Sequence, residues 1–228
     1  MSNSIVQRLS EVRQRIVAAC QRAGRDPDTV RLIAVSKTFP AEAVLQAIVA
    51  GHYRFGESRL QEAQAKLEQL PADLSWHFIG RVQRNKIRKI LPLFGTIHGI
   101  DSLKLAEHTD RVAAEMGLRP KVFLQVNIGR EGSKGGFDPE QIGCEVDALI
   151  ALNQIDIQGL MCIPPIEPDE QAARKWFIRL RELQQVLTPH FGAGFSQLSM
   201  GMSGDYEVAI EEGATVVRVG SAIFGGRS

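Results

Sequence analysis

Cysteine, aromatic side chains and long apolar runs are all scarce in this chain of 228 residues. Cys20, Cys144 and Cys162 are odd in number and form no CxxC unit, which excludes a disulfide scaffold and a CxxC redox or zinc site. Small buried thiols in a reducing cytosol fit that pattern, so a cytoplasmic protein is expected. Apolar runs reach only five residues, at 16–20 and 148–152, against the roughly 18 that a membrane span needs. An excess of one charge is missing too. Lys and Arg total 27 against 26 Asp and Glu, a net charge of +1, which argues against a broad electrostatic grip on nucleic acid or membrane. The sequence also lacks HxH and HxxxH spacings, a GxGxxG after a strand, a Walker loop and a GxSxG elbow. No metal site is therefore expected.

What is there reads as one ordered unit. Hydrophobic residues make up 44% and charged residues 23%, enough for a packed core. Ile5, Leu9, Val12 and Ile16 form one helical stripe that ends at Gly24. Arg8, Arg13 and Arg15 could mimic a transit peptide, but Glu11 and the stripe favour a helix over residues 1–25 that packs on the rest. Beyond it, β-rich segments at 32–35, 53–55, 76–79, 96–98, 122–126, 155–160, 195–198 and 215–219 are spaced by helical stretches, clearest at 41–50, 58–70, 103–116 and 172–187. Strands alternating with helices mean parallel βαβ units. Eight of them predict an α/β protein, a single (β/α)8 TIM-type barrel with an extra N-terminal helix, in one domain spanning 1–228.

A barrel places function at the C-terminal ends of its strands, with phosphate favoured after strands seven and eight. Lys37 follows the first strand, where burial disfavours an ammonium and makes the amine a nucleophile toward an aldehyde. The bland alternative is an exposed lysine at a strand end. SMGMSGD after strand seven and VGSAIFG after strand eight bring glycine backbone and serine hydroxyls to adjacent strand ends. Such loops cradle an anion, although turn chemistry and helix capping through Gly204 and Glu207 would also use them. Arg218 alternates with Val217 and Val219, so it needs either a salt-bridge partner such as Glu57 or a ligand. His77, between Trp76 and Phe78, reads more readily as a satisfied core histidine than as a ring contact. Arg81, Arg84, Lys86, Arg88 and Lys89 lack interleaved aromatics and read as a solvated helix face over Ile87, Ile90 and Leu91.

AVSKT, FGES, WHFIG, VNI, SKGG, LSMGMSGDYE and VRVGSAIFG stand in the order and spacing of the pyridoxal phosphate homeostasis proteins, which this chain resembles from about residue 32 to 225. Those proteins are single barrels similar to the N-terminal domain of alanine racemase. The resemblance implies that Lys37 holds pyridoxal 5′-phosphate as a Schiff base. It implies that Ser199, Met200, Gly201, Ser203, Gly220 and Ser221 hold the phosphate, and that Arg218 faces the pyridine nitrogen. Ser58 stands where the family usually has Asn, and Arg59 where Tyr is frequent.

An arginine at the ring nitrogen keeps it unprotonated and weakens the electron sink that catalysis on the cofactor needs. Racemisation also needs a second acid/base, and neither tyrosine, Tyr53 or Tyr206, is placed for it by the sequence. The expectation is a cytoplasmic carrier that keeps the pyridoxal phosphate pool in balance with little turnover, a monomer in the absence of the racemase's second domain. A weak racemase-like enzyme is the alternative. Apo-enzymes that receive the cofactor, or a regulatory protein docking on the basic run, are the macromolecular partners left open.

Overall fold

A computed structural model describes residues 4–226. Its elements run in chain order α1 (Ile5–Arg22), β1 (Arg31–Val35), α2 (Ala41–Val49), β2 (Arg54–Glu57), α3 (Leu60–Leu67), β3 (Ser75–Phe78), α4 (Ile87–Ile90), β4 (Thr96–Ile100) and α5 (Leu103–Met116). They continue with β5 (Lys121–Gln125), α6 (Val146–Ile150), β6 (Asp156–Met161), α7 (Glu170–Phe191), β7 (Gln197–Ser199), α8 (Tyr206–Glu211), β8 (Val216–Val219) and α9 (Ser221–Phe224). The eight strands pair in sequence order, and β8 returns to pair in parallel with β1, which closes the barrel.

Strand alternation divides the core in two. On β1, Leu32 and Ala34 join the large cluster between barrel and helices, while Ile33 joins a smaller one with Phe123, Met161 and Val216. The two-residue period of a strand forces this division, because consecutive side chains point to opposite faces. On β8 the same rule sends Val217 and Val219 to the large cluster and leaves Arg218 on the face of Val216.

Helix α1 begins with a capping box. The Gln7 N–H donates to Ser4 Oγ at 3.2 Å and the Ser4 N–H to Gln7 Oε1 at 2.9 Å. Its stripe of Ile5, Leu9, Val12 and Ile16 is buried, against α8, α9 and α2. Arg22 pairs with Glu207 at 2.9 Å and Glu211 at 2.7 Å, and Arg8 Nε donates to the Ile223 carbonyl at 2.6 Å. The N-terminal helix thus supports the two helices that follow the glycine-rich loops.

Several local expectations change. Helix α8 starts at Tyr206, but neither Gly204 nor Glu207 caps it through a side chain: Glu207 faces Arg15 and Arg22, and Asp205 accepts from the Met202 N–H at 2.6 Å. Cys20 and Cys162 are buried, whereas Cys144 is exposed, because it lies in a 3-10 turn (Ile142–Glu145) whose Ile142 turns inward. The basic run forms a 3-10 turn (Arg84–Lys86) and one α-turn rather than a full helix, with Ile87, Ile90 and Leu91 buried beneath and Arg88 paired with Glu115.

Gly80 holds the β2–α3 loop against the end of β3. A Cβ there would lie 2.1 Å from the Ser58 carbonyl oxygen, a backbone atom with little freedom to move. Gly80→Ala is expected to lower stability by about 1–3 kcal/mol through overpacking, read as a lower urea midpoint with an unchanged slope.

Candidate functional site

At the C-terminal end of the barrel lies a cavity of about 290 Å³ bounded by Lys37, Ser203, Gly204, Arg218, Gly220 and Ser221. Val35, Phe39, Ile79, Ile163 and Met202 supply its apolar walls, and among the described residues no carboxylate lines it. Strand β1 brings Lys37 to this mouth. The residue after it, Thr38, adopts a left-handed backbone with φ +69°, a conformation uncommon for a β-branched residue and concentrated at functional sites.

The carbonyl of Ser36, just before Lys37, accepts from Lys66 Nζ at 2.7 Å, and its hydroxyl donates to Glu57 Oε1 at 2.7 Å. Lys66 and Glu57 are themselves paired at 2.5 Å and buried. Glu57 is therefore not the partner of Arg218. Phe55 and Glu57 share one face of β2, and Phe55 belongs to the cluster between barrel and helices, so Glu57 meets α3 instead.

Arg218 is buried except where it borders the cavity, and it reaches no carboxylate among the described residues. Its Nη1 donates to the Ser199 carbonyl at 2.7 Å and to Ser199 Oγ at 2.6 Å, and its Nη2 donates to the Cys162 carbonyl at 2.9 Å. These bonds occupy three of the five guanidinium N–H groups. Burial lowers the Arg218 pKa and pushes the Cys162 thiol up to about 12, so Cys162 is an inert neighbour.

The loop after β7 carries Ser203 to the start of α9, where its Oγ accepts from the Gly220 N–H at 3.1 Å and the Ala222 N–H at 3.4 Å. Two backbone donors converging on one oxygen at a cavity wall have the chemistry of an anion cradle. Gly201, at φ +90°, lets this loop fold onto α8: a Cβ would fall 2.7 Å from Ala209 Cβ and 2.9 Å from Tyr206 Cα.

Of the residues expected at the site, the structure brings together Lys37, Ser203, Arg218, Gly220 and Ser221. It sets Ser199, Met200 and Gly201 back from the cavity wall. Met200 is buried in the main core, Gly201 makes the turn, and Ser199 holds Arg218. The strand alternation that aims Ser199 into the barrel is the reason its hydroxyl does not face the loop. Tyr206 is buried beneath Arg15 of α1, and Tyr53 is half exposed at the opposite end of β2, so neither tyrosine lines the cavity. His98 went without a role in the sequence, although its place in a strand otherwise apolar was the available signal.

The family model for the N-terminal domain of alanine racemase matches residues 8–228. The pyridoxal phosphate homeostasis protein of Pseudomonas aeruginosa is 46% identical over 99% of this chain and 96% of its own length. That of Aquifex aeolicus is 40% identical over 97% of each. The chain belongs to the pyridoxal phosphate homeostasis protein family. Among solved structures, PipY of Synechococcus elongatus with pyridoxal phosphate bound shares 40% identity and a TM-score of 0.85 over 97% of this chain and all of that one. Alanine racemase of Clostridium difficile, at 16% identity and a TM-score of 0.70, covers 94% of this chain but only 56% of its own, and shares the barrel fold. In this family member, residue 58 packs its backbone against Gly80 rather than lining the cavity.

Proposed function

We propose that this protein binds pyridoxal 5′-phosphate in the Lys37 cavity and serves the balance of that cofactor as a cytoplasmic, single-domain monomer. The cavity itself carries the reading: an amine, a guanidinium and converging backbone donors meet at one strand-end mouth. Those donors fit an anionic phosphate ester that bears an aldehyde. When bound, the cofactor would supply a reactive carbonyl. Lys37 would hold it covalently through its amine, and Ser203, Gly220 and Ser221 would hold its phosphate. Arg218, which only donates, would direct an N–H at the ring nitrogen and leave that nitrogen without a proton. Family membership and the bound cofactor in PipY support the assignment.

The same geometry favours holding the cofactor over turning over amino acids. Racemisation on this cofactor draws on a proton donor on each substrate face, and both tyrosines lie away from the cavity. The names of the curated relatives agree with this reading. No helix among the described residues is long and apolar enough to cross a membrane.

The wild type is expected to take up pyridoxal phosphate with a new absorption band, and borohydride to fix the label on the peptide containing Lys37. Lys37→Ala is expected to lose both signals completely. A wild type that stays colourless with excess cofactor would refute the reading. Alanine incubated with the loaded protein in deuterated water is expected to gain no deuterium at Cα. Rapid incorporation would mark an enzyme instead.

A further inference from the structure

Behind Arg218 a line of polar side chains crosses the barrel interior. Ser199 Oγ, which accepts from Arg218, lies 2.8 Å from His98 Nδ1. His98 Nε2 lies 2.9 Å from His77 Nδ1, and His77 Nε2 lies 3.4 Å from Ser75 Oγ at the barrel floor. The participants come from β8, β7, β4 and β3. Ser199, His98 and His77 are buried and none of them lines the cavity. Phe123 of β5 stacks on the His98 ring at 4.5 Å and 21° and limits its rotation.

Burial keeps both imidazoles uncharged at neutral pH. It holds His77 at about 4, with Arg31, Arg54 and Lys121 adding to the effect, and His98 well below its ordinary value. A neutral imidazole carries one proton, and that fixes the direction of the line. Arg218 can only donate, so Ser199 Oγ accepts and passes its own hydrogen to His98 Nδ1. His98 then donates from Nε2 to His77 Nδ1, and His77 from Nε2 to Ser75. If His98 were protonated on Nδ1 instead, the Ser199 hydroxyl hydrogen would have no acceptor among the described residues, a costly state in a buried site. All four hydrogen bonds point away from the guanidinium, and bonds aligned head to tail strengthen one another.

We propose that His98, acting through Ser199, is a positioning residue for Arg218, and that this one-way chain fixes the guanidinium so that its two unused N–H groups face the ligand. The inference rests on the reading of Arg218 as the contact to the cofactor ring. Apolar side chains could fill the same volume without burying two imidazoles. The chain therefore needs a reason in what it does to Arg218, whose far side opens on the cavity.

The test has two arms. In the ligand-free wild type, long-range ¹H–¹⁵N NMR of labelled histidines at pH 7 is expected to show His98 and His77 protonated on Nε2. Protonation of His98 on Nδ1 overturns the proposal. With pyridoxal phosphate bound, Ser199→Ala and His98→Gln are expected to shift the cofactor absorption maximum and release the cofactor about ten-fold faster, the effect of one lost hydrogen bond of about 1.4 kcal/mol. Ser199→Thr, which keeps the hydroxyl, is expected to restore the wild-type band and rate. Folded Ser199→Ala and His98→Gln proteins with the wild-type band and rate overturn the positioning role. A wild type that takes up no cofactor overturns the reading of the site instead, which the tautomer measurement does not touch.

Discussion

Lys66→Met is expected to lower stability by about 3–5 kcal/mol, the usual result of stranding one member of a buried ion pair. Glu57 is fully buried, and its Oε2 has no hydrogen-bond partner even with Lys66 present. Removing the ammonium leaves that carboxylate with the Ser36 hydroxyl alone, in a medium that solvates charge poorly. For a chain of this size the loss amounts to a fall of about 10 °C in the thermal midpoint. Adding Glu57→Gln removes the charge, and the double variant is expected to regain at least half of the loss. If Lys66→Met alone is neutral, the pair contributes nothing to stability. The variant also frees the Ser36 carbonyl, one residue before Lys37. Faster release of bound cofactor, beyond any effect on folding, is expected to accompany it.

Acid is expected to destabilise the protein steeply between pH 6.5 and about 4. Burial lowers the pKa of His52 and His77 to about 4 each, and that of His98 well below 6.5. A histidine whose folded pKa lies below its unfolded one binds more protons when unfolded in the interval between the two. Its contribution is complete above pH 6.5 and is lost as pH falls toward the folded value. Each group then costs about 1.4 kcal/mol per pH unit, and the three together about 4 kcal/mol per unit. Most carboxylates titrate lower, so the upper half of this window belongs to the histidines. Urea midpoints at pH 7, 6 and 5 measure the slope. His52→Gln, which leaves the barrel interior intact, is expected to reduce it by about one-third. A midpoint unchanged from pH 7 to 5 would show that the rings charge freely in the folded state.

Much of the barrel was legible because βαβ units write themselves locally. Each strand is a short apolar run, each helix has its own period, and α5 (Leu103–Met116) has the bounds its pattern predicts. Lys37 and the loops holding Ser203, Gly220 and Ser221 were legible for a related reason: a barrel presents strand ends at one mouth, so residues next to strands eight and one must meet there. The structure adds most where the direction of a side chain matters more than its position. Ser199, Met200 and Gly201 stand at the end of β7 and in the loop after it, where the strand turns the Ser199 side chain inward, Met200 packs in the core and Gly201 makes the turn. Cys144 was misjudged because a 3-10 turn exposes most of its residues.

The sequence by itself determined the α/β class, the order of eight strands, the N-terminal helix, the lysine at the first strand end and the paired glycine loops. These follow from periodicity, turn chemistry and motif spacing, which are properties of neighbours along the chain. Only the tertiary structure decided that Glu57 meets Lys66 rather than Arg218, and that Arg218, Ser199, His98 and His77 form one line. His98 and Ser199 are 101 residues apart. Closure of the sheet carries β4 and β7 to facing walls of one narrow interior, and a buried donor there must bond with whatever acceptor the opposite wall presents.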